Sequence, residues 1–130
     1  MTAFRPKEHI RLRREFERAY ETGAKLNGRY MTVFVKATAN GHPRLGIAAT
    51  RKIGGAVIRN RAKRRARELF RLHKPPANLD IVVIPRREFL DASFPTLERE
   101  FGALVERGAR SPSRVPKPRG PARPSAHPPV

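Results

Sequence analysis

The order of hydrophobic periods along the chain predicts an α+β protein, built as a small two-layer sandwich of helices on a sheet. Apolar residues recur at helical spacing in three separate segments, and between these segments they alternate or run together as they do in strands. Of the 130 residues 38% are hydrophobic, which allows one modest core. The chain has no cysteine, so a disulfide framework, a cysteine-ligated metal site and a thiol nucleophile are excluded. The predicted order is helix, two or three strands, helix, strand, helix.

The first half of the chain predicts a short helix followed by a β-hairpin. The helix is predicted before a glycine cap at Gly23, and its apolar face contains Leu12, Phe16, Ala19 and Tyr20. Residues 30–36 alternate as a strand does, and Asn40-Gly41 is typical of a turn that leads to a returning strand. The returning strand would contain Leu45, Ile47 and Ala49, and residues 25–27 are a weaker candidate for a further strand.

The second half predicts a helix, a buried strand and a last helix. After Gly54-Gly55 the period predicts a helix over residues 56–72, with an apolar face made by Ile58, Ala62, Ala66, Leu69 and Phe70. Residues 79–84 are apolar on both faces apart from Asp80, which is typical of a strand inside a covered sheet, and Pro85 ends it. The last helix is predicted to begin at an N-cap, Ser93, and to stop at Gly108, and its apolar face contains Phe94, Leu97, Phe101, Leu104 and Val105.

Composition divides the chain after residue 108. Residues 109–130 contain seven prolines and five Lys or Arg but no Asp or Glu, so we expect a disordered basic tail there. Residues 1–108 keep 24 basic and 11 acidic residues, so they carry +13 of the whole chain's net charge of +18. The positive charge therefore belongs mainly to the predicted folded domain.

This excess of charge predicts a polyanionic partner, with nucleic acid as the first candidate and acidic membrane lipid as the second. The longest aliphatic run covers only residues 81–84, far short of the roughly 18 residues that suggest a membrane span. No apolar segment follows the basic residues near the N-terminus, so a secretory signal is not indicated. We expect a cytoplasmic protein without a membrane partner.

The middle helix concentrates the positive charge. Residues 51–71 hold nine Lys or Arg and a single acid, Glu68. At helical spacing, a cationic stripe lies opposite the apolar face; it consists of Arg59, Lys63, Arg67 and Arg71, with Asn60 and Arg64 beside it. Like charges at this spacing cost about 0.2–0.5 kcal/mol per pair, which an external polyanion would offset. A solvated basic face is the alternative interpretation.

Two further features could bind nucleic acid. Gly54 and Gly55 precede the middle helix and would let a phosphate approach the N–H groups at the positive end of its dipole, although two glycines alone are weak evidence. Alternation places Tyr30, Phe34 and Lys36 on one strand face, where aromatic rings could stack on bases for about 1–3 kcal/mol each. Core packing is the alternative for this face, and Phe16 and Tyr20 share that ambiguity.

The segment at residues 51–68, RKIGGAVIRNRAKRRARE, resembles the signature of the bacterial ribonuclease P protein subunit. The mark of that family is an Arg-Asn-Arg helix followed by Lys-Arg and a further Arg, which stand here as Arg59-Asn60-Arg61, Lys63-Arg64 and Arg67. The likeness extends from about residue 12 to residue 105. Departures are Gly55, where the family often has Asn, and Arg65 and Ala66, which replace two larger apolar residues.

The resemblance implies an α-β-β-β-α-β-α fold with a left-handed crossover, a hand that general rules disfavour. It implies that residues 1–108 bind RNA, and that one protein joins one catalytic ribonuclease P RNA subunit and the 5′ leader of precursor tRNA. The endonucleolytic removal of the leader would then belong to the holoenzyme, on Mg²⁺ held by the RNA, and the protein alone would be inactive. The four histidines show no paired ligand spacing, which agrees with this expectation.

The candidate site residues form two groups, and none is expected to be catalytic or to bind a metal. The resemblance assigns RNA-subunit binding to Arg51, Lys52, Arg59, Asn60, Arg61, Lys63, Arg64 and Arg67, and the stripe adds Arg71. The resemblance assigns leader binding to Phe16, Tyr20 and Phe34, and strand alternation adds Tyr30 and Lys36.

Three other classes of protein share some of these features. A ribosomal or other structural RNA-binding protein would share the charge and size, but the Arg-Asn-Arg helix argues against it. A DNA-compacting protein should show a dimer interface or minor-groove arms rather than an aromatic sheet face. A self-sufficient nuclease would need clustered acids or histidines.

Overall fold

The helices and strands follow one another in the predicted order in the computed structural model, which describes residues 6–39, 41–75 and 78–110. The helices are α1 (Arg13–Thr22), α2 (Ala56–Leu72) and α3 (Phe94–Arg110). The strands are β1 (Ala24–Asn27), β2 (Met31–Ala37), β3 (Arg44–Ile47) and β4 (Leu79–Pro85). Short 3-10 turns lie at Pro6–Glu8, Arg51–Ile53 and Arg87–Leu90. The α+β class and the element order are confirmed, including the further strand at residues 25–27 and the bounds of α2.

The four strands form one sheet in the order β1-β2-β4-β3. β2 pairs antiparallel with β1 and with β4, whereas β3 pairs parallel with β4. The predicted hairpin between β2 and β3 is therefore wrong, because β4 lies between them. β4 is the strand whose two faces are both apolar, and such a strand is most stable at an interior position of the sheet.

β3 and β4 run parallel and are joined through α2, so the crossover implied by the resemblance is present. Its left hand stays a prediction. β3 is shorter than predicted, since Ala49 lies beyond its end at Ile47. Asn40 of the predicted turn lies outside the described residues, as do the tail residues beyond Arg110.

Helices cover both faces of the sheet. α3 contacts β1 and β2, and α2 contacts β3, over the larger core cluster that contains Val33, Leu45 and Ile81. α1 contacts β2 and β4 on the other face, over a smaller cluster that contains Ala19, Phe34 and Val82. None of the helices in the described part of the chain is long and apolar enough to cross a bilayer.

The helix ends follow the predicted caps with one exception. α1 ends at Gly23, whose N–H donates to the carbonyl of Ala19 at 2.9 Å. The Ser93 hydroxyl accepts from the N–H of Thr96 at 3.3 Å, which confirms it as the N-cap of α3. The predicted stop at Gly108 is wrong, because α3 continues to Arg110. Gly108 is instead a buried contact position against the sheet, where a Cβ would lie 2.5 Å from Val35 Cγ2.

Candidate nucleic-acid interface

The entry to α2 depends on two glycines with different roles. Gly54 has φ +145°, a left-handed backbone conformation that favours glycine, and a Cβ there would lie 2.8 Å from the Cβ of Ile58. Gly55 is the N-cap of α2; its carbonyl accepts from the N–H of Arg59 at 2.9 Å, and it provides no side-chain cap. In the described structure, a Cβ on Gly55 would meet no heavy atom within 4 Å other than those of Gly55 itself and its chain neighbours. The first turn of α2 therefore begins at an open surface with unsatisfied N–H groups.

α2 is divided between a buried face and a charged face, as its sequence predicts. Ala62, Ala66, Leu69 and Phe70 are fully buried against the sheet and α3. The exposed polar side chains of the opposite side are Asn60, Arg61, Arg64 and Arg67, while Arg59 and Lys63 are half-buried beside them. The sequence therefore places the family's motif residues along the solvent side of one helix.

Ion pairing distinguishes Arg71 from the other members of the predicted RNA-subunit group. Its guanidinium pairs with the Glu68 carboxylate, and this hydrogen bond holds the pKa of Glu68 below its usual range. Among the residues that the structure describes, no acid lies within ion-pair distance of the other cations of the group. Arg71 thus satisfies its charge within the helix, whereas the remaining cations are available to an external anion.

Two half-buried arginines of α2 differ in their hydrogen bonds. Arg65 donates to the carbonyl of Ala92 at 2.9 Å and so joins α2 to the turn before α3. The Nε of Arg59 is buried without a hydrogen-bond partner in the described structure. An unpaired guanidinium nitrogen is costly to bury.

Arg51 and Lys52 lie in the 3-10 turn that leads to α2, and both are exposed. Lys52 lines a cleft of about 400 Å³ that also contains Ile84, Arg86 and Arg87 from the end of β4. Sequence reasoning did not place Arg86 or Arg87 near Lys52. Only the pairing of β3 with β4 brings these two distant segments together.

The aromatic residues of α1 and β2 form one cluster. Tyr20 contacts Phe34 edge-on, with ring centroids 4.9 Å apart, and Phe16 lies 6.5 Å from Tyr20. Phe34 is only 1% exposed, so the prediction of an open stacking platform is wrong for this residue, because α1 covers it. Phe16 and Tyr20 are half-buried, and burial raises the pKa of the Tyr20 hydroxyl to about 12.

Tyr30 does not share a face with Phe34, contrary to the alternation. It packs against the larger core cluster, on the opposite side of the sheet. Tyr30 precedes the first residue of β2, where the chain turns from β1 and strand alternation does not apply. The Glu100 carboxylate of α3 fixes this turn by accepting three backbone N–H groups, from Arg29, Tyr30 and Met31 at 2.9, 2.8 and 3.1 Å.

Lys36 lies at the end of β2, beside a cleft between α1 and the sheet. This cleft has a volume of about 290 Å³ and is also lined by Glu15, Arg18, Arg44 and Asp80. Lys36 therefore shares a face with Phe34, as alternation predicts, and this face is the one that α1 covers, whereas Tyr30 lies on the other.

Arg44 was missed by the sequence reasoning. Its guanidinium donates twice to Asp80, at 2.9 and 2.7 Å, and once to Glu15, at 3.0 Å, and so ties the first turn of α1 to β3 and β4. Burial by itself would raise the pKa of the Glu15 carboxyl, but the hydrogen bond and charge of Arg44 lower it below its ordinary value. Asp80, the one polar residue in an otherwise apolar strand, was the available signal of a buried partner.

No group of three histidine, aspartate or glutamate side chains that could hold a metal ion occurs within the described ranges. The chemistry that the exposed cations of α2 support is the binding of an extended polyanion.

Comparison with known proteins agrees with this geometry. The family model described as Ribonuclease P matches residues 4–108. The ribonuclease P protein component of Thermotoga maritima is 38% identical over 111 residues, covering 81% of this chain and 95% of that protein. That of Symbiobacterium thermophilum is 43% identical over 101 residues, covering 75% of this chain and 88% of the relative.

Solved structures show the same fold. The ribonuclease P protein from Thermotoga maritima superposes with a TM-score of 0.69 at 39% identity, covering 77% of this chain and 96% of that chain. The Staphylococcus aureus protein gives a TM-score of 0.69 at 30% identity, covering 79% and 95%. Sequence, fold and the charged face of α2 lead to one conclusion: the chain belongs to the ribonuclease P protein family.

Proposed function

We propose that this chain binds the catalytic RNA subunit of ribonuclease P and the 5′ leader of precursor tRNA, and that the resulting holoenzyme removes the leader. The observation that carries the proposal is the exposed side of α2, where Arg61, Arg64 and Arg67 have no acidic partner in the described structure. Cations that find no internal partner stabilise a bound phosphate backbone most, because no ion pair must be broken first.

The division between two binding surfaces follows from their chemistry. The α2 surface presents guanidinium groups and an open helix N-terminus, which suit a folded RNA with closely spaced phosphates. The α1 side of the sheet carries the half-buried rings of Phe16 and Tyr20 above Phe34. Lys36, farther along β2, lines a separate cleft on the same side. That combination suits an unpaired strand, since bases can contact aromatic rings while a lysine contacts the backbone.

Phe34 has a supporting part in this proposal. The Phe34 ring is buried beneath Tyr20, with the two ring centroids 4.9 Å apart, so it supports the position of Tyr20. The amine of Lys25 lies 5.9 Å from the centroid of the Phe34 ring and adds a cation to the same side of the sheet. The leader would then contact Phe16, Tyr20 and nearby lysines rather than Phe34 itself.

The protein's contribution to the reaction is binding and electrostatic screening. In the proposed holoenzyme the hydrolysis of one phosphodiester bond depends on Mg²⁺ held by RNA, which activates water. This chain would hold the RNA subunit, reduce the repulsion between it and precursor tRNA, and position the leader. One protein per RNA subunit is the proposed stoichiometry.

Reconstitution tests the proposal directly. The purified chain, the ribonuclease P RNA and both together are assayed for cleavage of precursor tRNA at low Mg²⁺, and we expect efficient cleavage only with both. Cleavage by the chain alone would refute the division of labour. Failure of the chain to increase the rate of the RNA would refute the subunit assignment.

Two variants separate the surfaces. Arg61→Gln with Arg64→Gln should weaken binding to the RNA subunit and lower the slope of log affinity against log salt by about 0.7–0.9 for each phosphate that the variant no longer neutralises. Lys36→Gln should reduce affinity for precursor tRNA with a leader more than affinity for mature tRNA. Arg99→Gln, an exposed position on α3, is the matched control and should change neither.

A further inference from the structure

The N-terminal segment forms an additional edge of the sheet beside β3. His9 makes a parallel bridge with Leu45, and the N–H of Ile10 donates to the carbonyl of Leu45 at 2.9 Å. Because successive residues of an extended segment face opposite sides, Ile10 joins the smaller core cluster under α1 while His9 lies on the side of α2.

A basic cleft lies between this segment and α2. It has a volume of about 340 Å³ and is lined by His9, Arg11, Lys63 and Arg67, with Leu45 and Ile47 of β3 as its apolar wall. None of the described residues that line it is acidic. Glu8, the neighbouring carboxylate, is buried and pairs with Lys74 at 2.6 Å, so its charge is matched by that lysine.

The cleft gathers charges that repel one another when it is empty. Burial, the charge of Arg11 and the charge of Arg67 lower the pKa of the His9 imidazole, while Glu8 acts weakly in the opposite sense. Lys63 is a further cation facing the cleft from α2, and β3 contributes only apolar side chains. These three influences disfavour the protonated ring of His9 in the free protein.

We propose that this edge cleft binds a phosphate group of the RNA partner and that binding there is coupled to the uptake of one proton by His9. The inference rests on the proposed function and adds to it the N-terminal segment, which the α2 motif does not include. A phosphate between Arg11, Lys63 and Arg67 neutralises the repulsion and places a negative charge beside the imidazole. Both effects favour the protonated ring, which can then donate to a phosphate oxygen.

Linkage fixes the direction of the pH dependence. A group that is more readily protonated in the complex than in the free protein makes binding stronger as pH falls through its titration range. For each unit by which the pKa of His9 rises on binding, affinity increases by up to about tenfold between roughly pH 8 and pH 5.5.

The first test uses sulfate as the probe, because it remains a dianion throughout the range in which histidine titrates. The imidazole resonances of the full chain are followed by NMR from about pH 5 to pH 8.5 in chloride and in sulfate at equal ionic strength. We expect the pKa of His9 to rise by about one unit in sulfate, so that its resonances at a given pH differ between the two salts. The resonances of His73, which is paired with Glu98 outside the cleft, should differ much less. Equal shifts of the two histidines would overturn the proposal, since they would reflect general screening.

The second test measures affinity for ribonuclease P RNA at about pH 5.5 and pH 8. The wild type and His73→Gln should bind more tightly at the lower pH, and His9→Gln should lose most of that difference. An identical pH dependence in the wild type and in His9→Gln would overturn the inference while leaving the proposed function intact. Absence of RNA binding by the wild type at either pH would instead refute the proposed function, and the sulfate titration would still decide whether the cleft is an anion site.

Discussion

Arg44 provides the sharpest test of how this fold is held together. The change is Arg44→Met, which keeps much of the side chain's length but removes its charge. The wild-type Arg44 side chain is 18% exposed, and its guanidinium makes two hydrogen bonds to Asp80, whose side chain is 7% exposed, and one to Glu15. The variant leaves the buried Asp80 carboxylate without its guanidinium partner.

The expected magnitude follows from that buried charge. Removing one partner of a buried ion pair typically costs about 3–5 kcal/mol, roughly a third or more of the stability of a small domain. With a urea m-value of about 2 kcal/mol/M, the unfolding midpoint should fall by roughly 1.5–2.5 M. Urea unfolding followed by circular dichroism, at fixed salt because the chain is highly charged, measures this shift.

Two further variants decide the cause of the shift. Arg44→Met with Asp80→Leu also removes the more deeply buried carboxylate and should recover much of the stability, because only Glu15, which is 23% exposed, then lacks the guanidinium. Arg14→Met, an exposed position on α1, should change stability by less than about 0.5 kcal/mol. If Arg44→Met cost no more than Arg14→Met, the reasoning that Arg44 neutralises a buried carboxylate would be refuted.

Three other predictions concern the core and the acid side of the stability profile. Phe34→Ala should lower the free energy of unfolding by about 3–5 kcal/mol, because the ring is 1% exposed and fills the space under α1. An unchanged stability in urea would show that the Phe34 ring is not a core contact. Gly108→Ala should lower the free energy of unfolding by about 1–3 kcal/mol, because the new Cβ meets Val35 and Leu26 in the sheet. Gly102→Ala should instead raise it by up to about 1 kcal/mol, because its Cβ meets nothing within 4 Å and alanine favours the helix. Changes of opposite sign in the free energy of unfolding, measured with urea, would show that Gly108 packs closely against the sheet, and equal changes would contradict this. Glu15→Gln should lower the melting temperature at about pH 7, and the difference should shrink near pH 3. The folded pKa of Glu15 is lowered, so its contribution is present above the unfolded carboxyl's pKa and is lost as pH falls through the folded value; a difference that is constant with pH would contradict this assignment.

The helix α2 shows which structural features the local sequence can predict and which it cannot. The bounds of α2 and its buried face were predicted from the spacing of Ala62, Ala66 and Leu69, because a helix makes neighbours of residues that are close in sequence. The same spacing could not show that Arg71 is paired with Glu68 while Arg64 is not. Which side chains pair depends on rotamers and on the packing around them.

The aromatic residues show where alternation fails. Met31, Val33 and Val35 share a face as predicted, yet Tyr30 leaves the pattern because it precedes the strand, and Phe34 is buried because α1 crosses above it. Alternation defines two faces of a strand but not which helix covers each face. The sequence therefore cannot distinguish whether these aromatic residues pack in the core or contact a ligand until the positions of the helices are known.

By itself the sequence determined the fold class, the order of the elements, the basic face of α2 and the family, since each of these depends on residues close together in the chain. Only the tertiary structure decided that β4 separates β2 from β3, that Arg44 holds α1 to the sheet, and that His9 faces Lys63 and Arg67. These are contacts between residues far apart in sequence, and which of them form depends on how the whole chain buries its apolar surface and pairs its buried charges.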